Sequence, residues 1–284
     1  MKWKLTSRAE YSHSLLAVTP SVPQPAVDAP SLLITLVNHS TLLVQQSGSN
    51  ILTDPIWSAR CGPASFLGPR RHRMPGVEFD HLPPIHTVLL SHDHYDHLDL
   101  PTLRRLAARG GSEFVVPRGV AAFLAARGIG SAHELDWGES ISLRGAEIHA
   151  VPAFHFSGRG LFDRNRTLWC GYIVKCDAGT LYFAGDTAFG PHFGWIRERF
   201  GAPRVALLPI GAYEPRWFMS AIHMNPEEAL AAHRMLGSKT SIAIHHGTFQ
   251  LADDAVDTPR RRLLAAAPPD SFLILDNGQA ARFD

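Results

Sequence analysis

Within six residues, His92-Asp93-His94-Tyr95-Asp96-His97 offers three imidazoles and two carboxylates. Groups so costly to desolvate are packed this closely chiefly where a cation compensates them. On an extended segment His92 and His94 project to the same side, two residues apart, and can converge on one metal ion. Asp96 and His97 follow where the chain turns and can point at a neighbouring position, so one loop can begin two metal sites. A solvated turn accounts for a lone His-Asp pair but not for this density.

Three further polar positions stand directly after apolar β-type runs. His155 follows residues 148–152, Asp186 follows Leu181-Tyr182-Phe183-Ala184-Gly185, and His245-His246 follows Ile242-Ala243-Ile244. Two cations sharing a bridging hydroxide need about seven protein donors, and Asp186 suits a bridging role because each carboxylate oxygen can take one cation. Asp54, before Pro55, either receives hydrogen bonds from the metal loop or starts a turn.

The elements that must position these groups follow from periodicity and breakers. Residues 87–90 form a short buried strand ahead of the metal loop. A helix over 101–109 follows it, with Asp99 near the cap and Pro101 in the first turn. Upstream, 32–37, 41–46 and 50–53 read as a hairpin-rich meander, an antiparallel sheet edge broken at Asn38-His39-Ser40 and Ser47-Gly48-Ser49. Downstream come helices over 103–109 and 119–127 with a strand over 113–117 between them, then strands over 148–151, 168–175 and 180–184. Helices over 193–200 and 226–236 and strands over 205–208, 241–245 and 272–275 complete the pattern. Strands then helices, twice, predict an α/β fold of two similar halves packed sheet against sheet with helices outside, and a site at the seam between the sheets.

Prolines 20, 23, 25 and 30 make residues 1–30 an extended lead-in, with a single domain over 31–284. Residues 58–84 lack periodicity and form a long loop. Its run Arg70-Arg71-His72-Arg73 is expected to be a solvated face in preference to a contact for an anionic substrate. The apolar content of 45%, charged content of 19% and formal charge of +1 are ordinary for a globular enzyme and give no electrostatic reason to expect nucleic acid. The three cysteines do not make a disulfide framework; Cys170 and Cys176 are expected in one strand as small buried residues. No stretch approaches the roughly 20 apolar residues of a membrane span, and the start of the chain lacks the apolar centre of a signal peptide. The expectation is a cytoplasmic protein, with peripheral attachment to a membrane surface left open.

The full series His92-Asp93-His94-Tyr95-Asp96-His97, His155, Phe183-Ala184-Gly185-Asp186-Thr187 and His245 resembles that of metallo-β-lactamase fold hydrolases. Four longer strings resemble the N-acylphosphatidylethanolamine-hydrolysing phospholipase D branch of that family. They are Glu134 to Trp137, Pro209-Ile210-Gly211-Ala212-Tyr213-Glu214-Pro215-Arg216-Trp217-Phe218-Met219, His223 to Ala229, and His245-His246-Gly247-Thr248-Phe249. The resemblance implies an αββα sandwich with two Zn²⁺ ions, Mn²⁺ or Fe²⁺ being alternatives. One is held by His92, His94 and His155 and the other by Asp96, His97 and His245, with Asp186 bridging. It also implies water activated between the metals, Asp96 accepting its proton, His223 near the reacting phosphate, and phosphatidic acid and an N-acylethanolamine as products. The chain departs from the branch at His246, where Trp is usual, and at Asn38-His39-Ser40-Thr41, where Gly-His-Ala-Thr is usual, so His39 borders the site in an altered setting.

Tyr213, Glu214, Arg216, Trp217 and Phe218 form an aromatic and charged patch. Arg216 either pairs with phosphate or braces the loop with Glu214, in which case Trp217 and Phe218 fill core. Arg164, Asn165 and Arg166 read as solvated loop. Expected partners are a phospholipid or another small ester and no nucleic acid, with a homodimer left open. The same dimetal chemistry serves a lactonase or another ester or phosphodiester hydrolase. A di-iron redox protein and a silent lipid-binding scaffold are the readings from other classes.

Overall fold

Strands whose successive residues are all apolar must bury both faces, and the computed structural model, which describes residues 15–130 and 132–284, satisfies this with two seven-stranded sheets. The first holds β1 (Leu32–Asn38), β2 (Thr41–Gln46), β3 (Ser49–Thr53), β4 (Thr87–Leu89), β5 (Glu113–Pro117) and β6 (Ala132–Leu135), with β14 (Ala280–Phe283) outside β1. The second runs β7 (Ser140–Leu143), β8 (Ala146–Val151), β9 (Gly171–Cys176), β10 (Gly179–Phe183), β11 (Val205–Pro209), β12 (Thr240–Ile244) and β13 (Phe272–Leu273). Each sheet has three antiparallel pairings followed by three parallel ones, and β14 takes in the first the place that β7 takes in the second.

Period-2 alternation divides the side chains between layers. Leu42 and Val44 of β2, Leu89 of β4 and Val115 of β5 meet Ile148, Val174, Leu181 and Leu207 between the sheets. The alternate residues Leu43, Val88, Phe114 and Val116 pack outward against α1 (Leu100–Arg109) and α2 (Val120–Ala125). On the far side Ala206, Leu208 and Ala243 pack under α3 (His192–Phe200), α5 (Pro226–Leu236) and α6 (Thr258–Ala265). This is an αββα sandwich of two similar halves. β1, β3, β4, β8, β10, β11 and β12 all point their C-terminal ends at one edge of it, where the two sheets bring their following loops together.

Some expectations need correction. The β1–β3 meander is not a sheet edge, because β14 pairs antiparallel with β1. The strand expected from residue 168 begins at Gly171; Cys170 lies buried just before it, and Cys176 is only half-buried. The helix expected over 119–127 is α2 alone, begun after Gly119. β6, β7, β14, α6 and the single-turn α4 (Arg216–Met219) were not expected. Arg71 is not solvated: it is buried, and its guanidinium donates to the carbonyls of Ile56, Ser58 and Arg73, tying down the long loop. Of the lead-in, residues 15–30 are described, and they are stitched to the first sheet through Gly48 N–H to the Val27 carbonyl and Asn50 Nδ2 to the Pro25 carbonyl.

Candidate metal centre

The strand-end histidines and carboxylates converge at that edge, and all the imidazoles of the set are buried except that of His94, which is half-buried, so an unpaired proton or lone pair there is costly. His92 Nε2 lies 2.9 Å and His155 Nε2 3.2 Å from His94 Nδ1, making one group. Asp96 Oδ2 lies 3.0 Å from His39 Nε2, 3.1 Å from His97 Nε2 and 3.3 Å from His245 Nε2, making a second. Asp186 Oδ2 stands between them, 3.1 and 3.2 Å from His245 and His97 and 3.7 and 3.9 Å from His155 and His92. His97 Nε2 makes no hydrogen bond although two carboxylate oxygens approach it, and Asp186 Oδ1 is likewise buried without a partner. Ligand atoms aimed into a common volume and left unsatisfied by protein are what a divalent cation fits.

Electrostatics divide the two groups. Burial lowers His92 and His155 and takes His94 down to about 3, so these imidazoles are neutral, the form that ligates. Burial also opposes a proton on His245 and His97, but the carboxylates of Asp186 and Asp96 outweigh it, raising His97 and holding His245 up at about 9. The same imidazoles overcome burial at Asp96 and Asp186 and keep both carboxylates ionised.

The surrounding contacts fix these groups. Asp54 accepts hydrogen bonds from Ser91 N (2.7 Å), Ser91 Oγ (2.5 Å) and His97 Nδ1 (2.6 Å), and so sets which His97 nitrogen faces the centre. Asp93 turns away from the histidines and accepts from Gly158 N and Thr167 Oγ1, clamping the loop that carries His155. Gly185 holds φ at 60°, and a Cβ there would come within 2.6 Å of Ser91 Cβ, so the two strand-end loops can meet only at a glycine. His39, Asp54 and His245 adopt the left-handed region at φ 47°, 32° and 58°. Such conformations cost about 1–3 kcal/mol each and persist where surrounding contacts over-determine them. Asp54→Asn removes an acceptor while preserving volume, and is expected to weaken metal binding by about 10–100-fold. A metal titration showing affinity within about twofold of the native protein would mean that His97 needs no such support.

The remaining candidate residues lie in the loop after β11 and beyond it. His223 Nδ1 is 4.0 Å from Asp186 Oδ2, and its ring centroid is 4.9 Å from that of His155. Arg216 uses its fork on Glu228 Oε1 and Oε2, both 2.8 Å, and on the His223 carbonyl. Its bracing partner is therefore Glu228, not Glu214. Glu228 also closes the capping box of α5 with Asn225, so the cap and the arginine together place His223. Tyr213 is buried, and its N–H joins those of Ala212 and Glu214 on the Asp254 carboxylate. Trp217 and Phe218 do not fill core; they are 65% and 45% exposed. His246 is buried beside His245 with neither ring nitrogen hydrogen-bonded, and burial takes it to about 4. The supports that sequence reasoning missed are Ser91, Asp254 and Glu228. Ser91, adjacent to His92, and Glu228, three residues after Asn225 at capping-box spacing, carry local signals, and Asp254 carries none.

A sequence model of the beta-lactamase superfamily domain matches residues 49–246. An uncharacterised protein of Mycobacterium tuberculosis is 41% identical over 96% of this chain and 74% of its own length. The N-acyl-phosphatidylethanolamine-hydrolyzing phospholipase D 1 of Caenorhabditis elegans is 39% identical over 87% of this chain and 75% of its own. Among solved structures, a metallo hydrolase from Ignicoccus hospitalis superposes with a TM-score of 0.66 at 24% identity, covering 89% of this chain and 99% of that one.

Proposed function

Since the chain belongs to the beta-lactamase superfamily and is a metal-dependent hydrolase, we propose that it is a phospholipase D-type phosphodiesterase acting on N-acylphosphatidylethanolamine-like lipids. The products would be phosphatidic acid and an N-acylethanolamine. The observation that carries this reading is the 39% identity to the C. elegans phospholipase over most of both chains. The string Pro209 to Met219, which runs from the end of β11 through α4 to the segment before His223, supports it.

In this reading His92, His94 and His155 hold one Zn²⁺, Asp96, His97 and His245 hold a second, and Asp186 lies between them. Bound there, the metals supply Lewis acidity and a water acidic enough to ionise near neutral pH. The chain's own groups do the rest. Asp54 keeps His97 Nδ1 protonated and its Nε2 turned inward. His39 Nε2, 3.0 Å away, holds Asp96 Oδ2, which is placed to take the proton of the attacking water. His223, set by Arg216 and Glu228, is the donor to the leaving alkoxide or a phosphate oxygen. Turnover of N-acylphosphatidylethanolamine is expected to exceed that of a simple lactone and of bis(p-nitrophenyl) phosphate, with N-acylethanolamine released. Preference for the lactone would sink the phospholipase reading and leave the hydrolase standing.

A further inference from the structure

Loops following β3 and β8 rise from the edge that carries the metal centre, and both end in side chains that a water-facing loop has no reason to present. Phe66 is 74% and Leu67 48% exposed at one tip, and Leu161 is 91% and Phe162 86% exposed at the other. Exposed apolar tips usually fold back onto the protein. Here the second loop is held open from inside. Asp163 accepts from Arg159 N and Gly160 N, and Asp93 accepts from Gly158 N and Thr167 Oγ1, so the turn is closed by its polar groups with Leu161 and Phe162 outside it.

Between these loops lies a 570 Å³ cavity with Tyr95 of the metal loop in its wall. Arg60, Arg104, Arg127 and Arg159 line it against two carboxylates, Asp99 and Asp163. Both carboxylates are occupied, Asp99 by Ser58 and Thr102 and Asp163 by its own turn. The Arg104 guanidinium has no hydrogen bond or ion pair among the described residues, and the Arg127 guanidinium lies 3.5 Å over the Phe123 ring with one bond to a carbonyl. Arg164 and Arg166 flank the second tip, and Trp217 and Phe218 are exposed on α4, in the segment that follows β11.

We propose that this edge docks on an anionic lipid bilayer, with Phe66-Leu67 and Leu161-Phe162 entering the acyl region and the arginine-lined cavity between them taking an anionic headgroup. The proposal rests on the lipid-substrate reading of the metal centre, because docking there would hold the centre over the leaflet that contains the substrate. Isolated convex tips offer little of the flat packed area that a protein partner needs, but they suit insertion between headgroups. The surrounding arginines carry long apolar stems with cationic ends, which can lie at the same depth as phosphate.

The test is co-sedimentation of the full chain with vesicles of phosphatidylcholine alone and of phosphatidylcholine with phosphatidylglycerol, neither of which carries the scissile N-acyl headgroup. Native protein is expected to bind the mixed vesicles and to be released by salt. Leu161→Asp with Phe162→Asp is expected to weaken binding by more than about tenfold, and Arg104→Glu with Arg127→Glu by at least about tenfold. Unchanged metal content and thermal unfolding identify variants that are folded. Equal binding by folded variants, or indifference to phosphatidylglycerol, overturns the proposal. So does a dimer in sedimentation velocity that the Leu161→Asp, Phe162→Asp variant dissolves, since the tips would then belong to an interface between copies. Hydrolysis of N-acylphosphatidylethanolamine dispersed in detergent reports on the metal-centre reading separately. If it persists while vesicle binding is absent, only the docking edge is lost.

Discussion

Asp186→Ala is expected to lower hydrolysis on the order of a thousandfold or more while leaving the sandwich folded. Among the described residues, Asp186 Oδ2 is the one carboxylate oxygen within 4 Å of imidazoles from both histidine groups. Its removal takes away a donor to either cation and, with it, the charge that balances His97 and His245 in a buried space. Metal analysis should then show loss of bound metal in parallel with loss of turnover. An Asp186→Ala protein that keeps full hydrolysis removes the metal mechanism from consideration. Asp186→Asn retains one oxygen and the volume, so partial metal content with low turnover separates the loss of charge from the loss of shape.

Removal of metal by a chelator is expected to abolish turnover, and Zn²⁺ to restore it, with the two histidine groups refilling under different pH control. In the metal-free protein His245, raised to about 9, and His97, also raised, hold protons at pH 7, whereas His92, His94 and His155 are neutral. A ligating imidazole must shed its proton. Metal uptake at the Asp96, His97 and His245 group therefore releases protons and tightens as pH rises towards about 9. Uptake at His92, His94 and His155 is nearly independent of pH around neutrality. Calorimetric titration in buffers of different ionisation enthalpy checks this. Two binding events that release equal numbers of protons, or none, contradict it.

The parts legible in the sequence are those where chemistry or pattern is local. His92 to His97 stands out because no packing argument explains so many ionisable groups together, and β2, β5, β11 and β12 stand out because both faces are apolar. β7 and β14 do not stand out because Ser140–Leu143 and Ala280–Phe283 are four-residue sheet edges, half-exposed, too short for an alternation to be distinguished from chance. Arg71 reads as a surface charge until the carbonyls of Ile56 and Ser58 are seen to surround it. Asp254 supports Tyr213 from 41 residues away, a pairing that exists only once the fold brings the two loops together. Trp217, Phe218, Leu161 and Phe162 run against the rule that large apolar residues go inside, and there the sequence pattern names the residue but not its direction.

The pairing of β14 with β1 bears on how the chain reaches this state. Ser31 Oγ donates to Asp284 Oδ1 across a separation of 253 positions, so the first sheet gains its outer strand only by closing a loop through both halves. Contacts of that span are slow to form, because the entropy of closure is lost before the ladder repays it. Until then β1 presents unpaired N–H and C=O groups along one side of a sheet otherwise complete. Slower closure is therefore expected to lower the yield of folded protein on refolding from denaturant, because copies can join through β1 before β14 arrives.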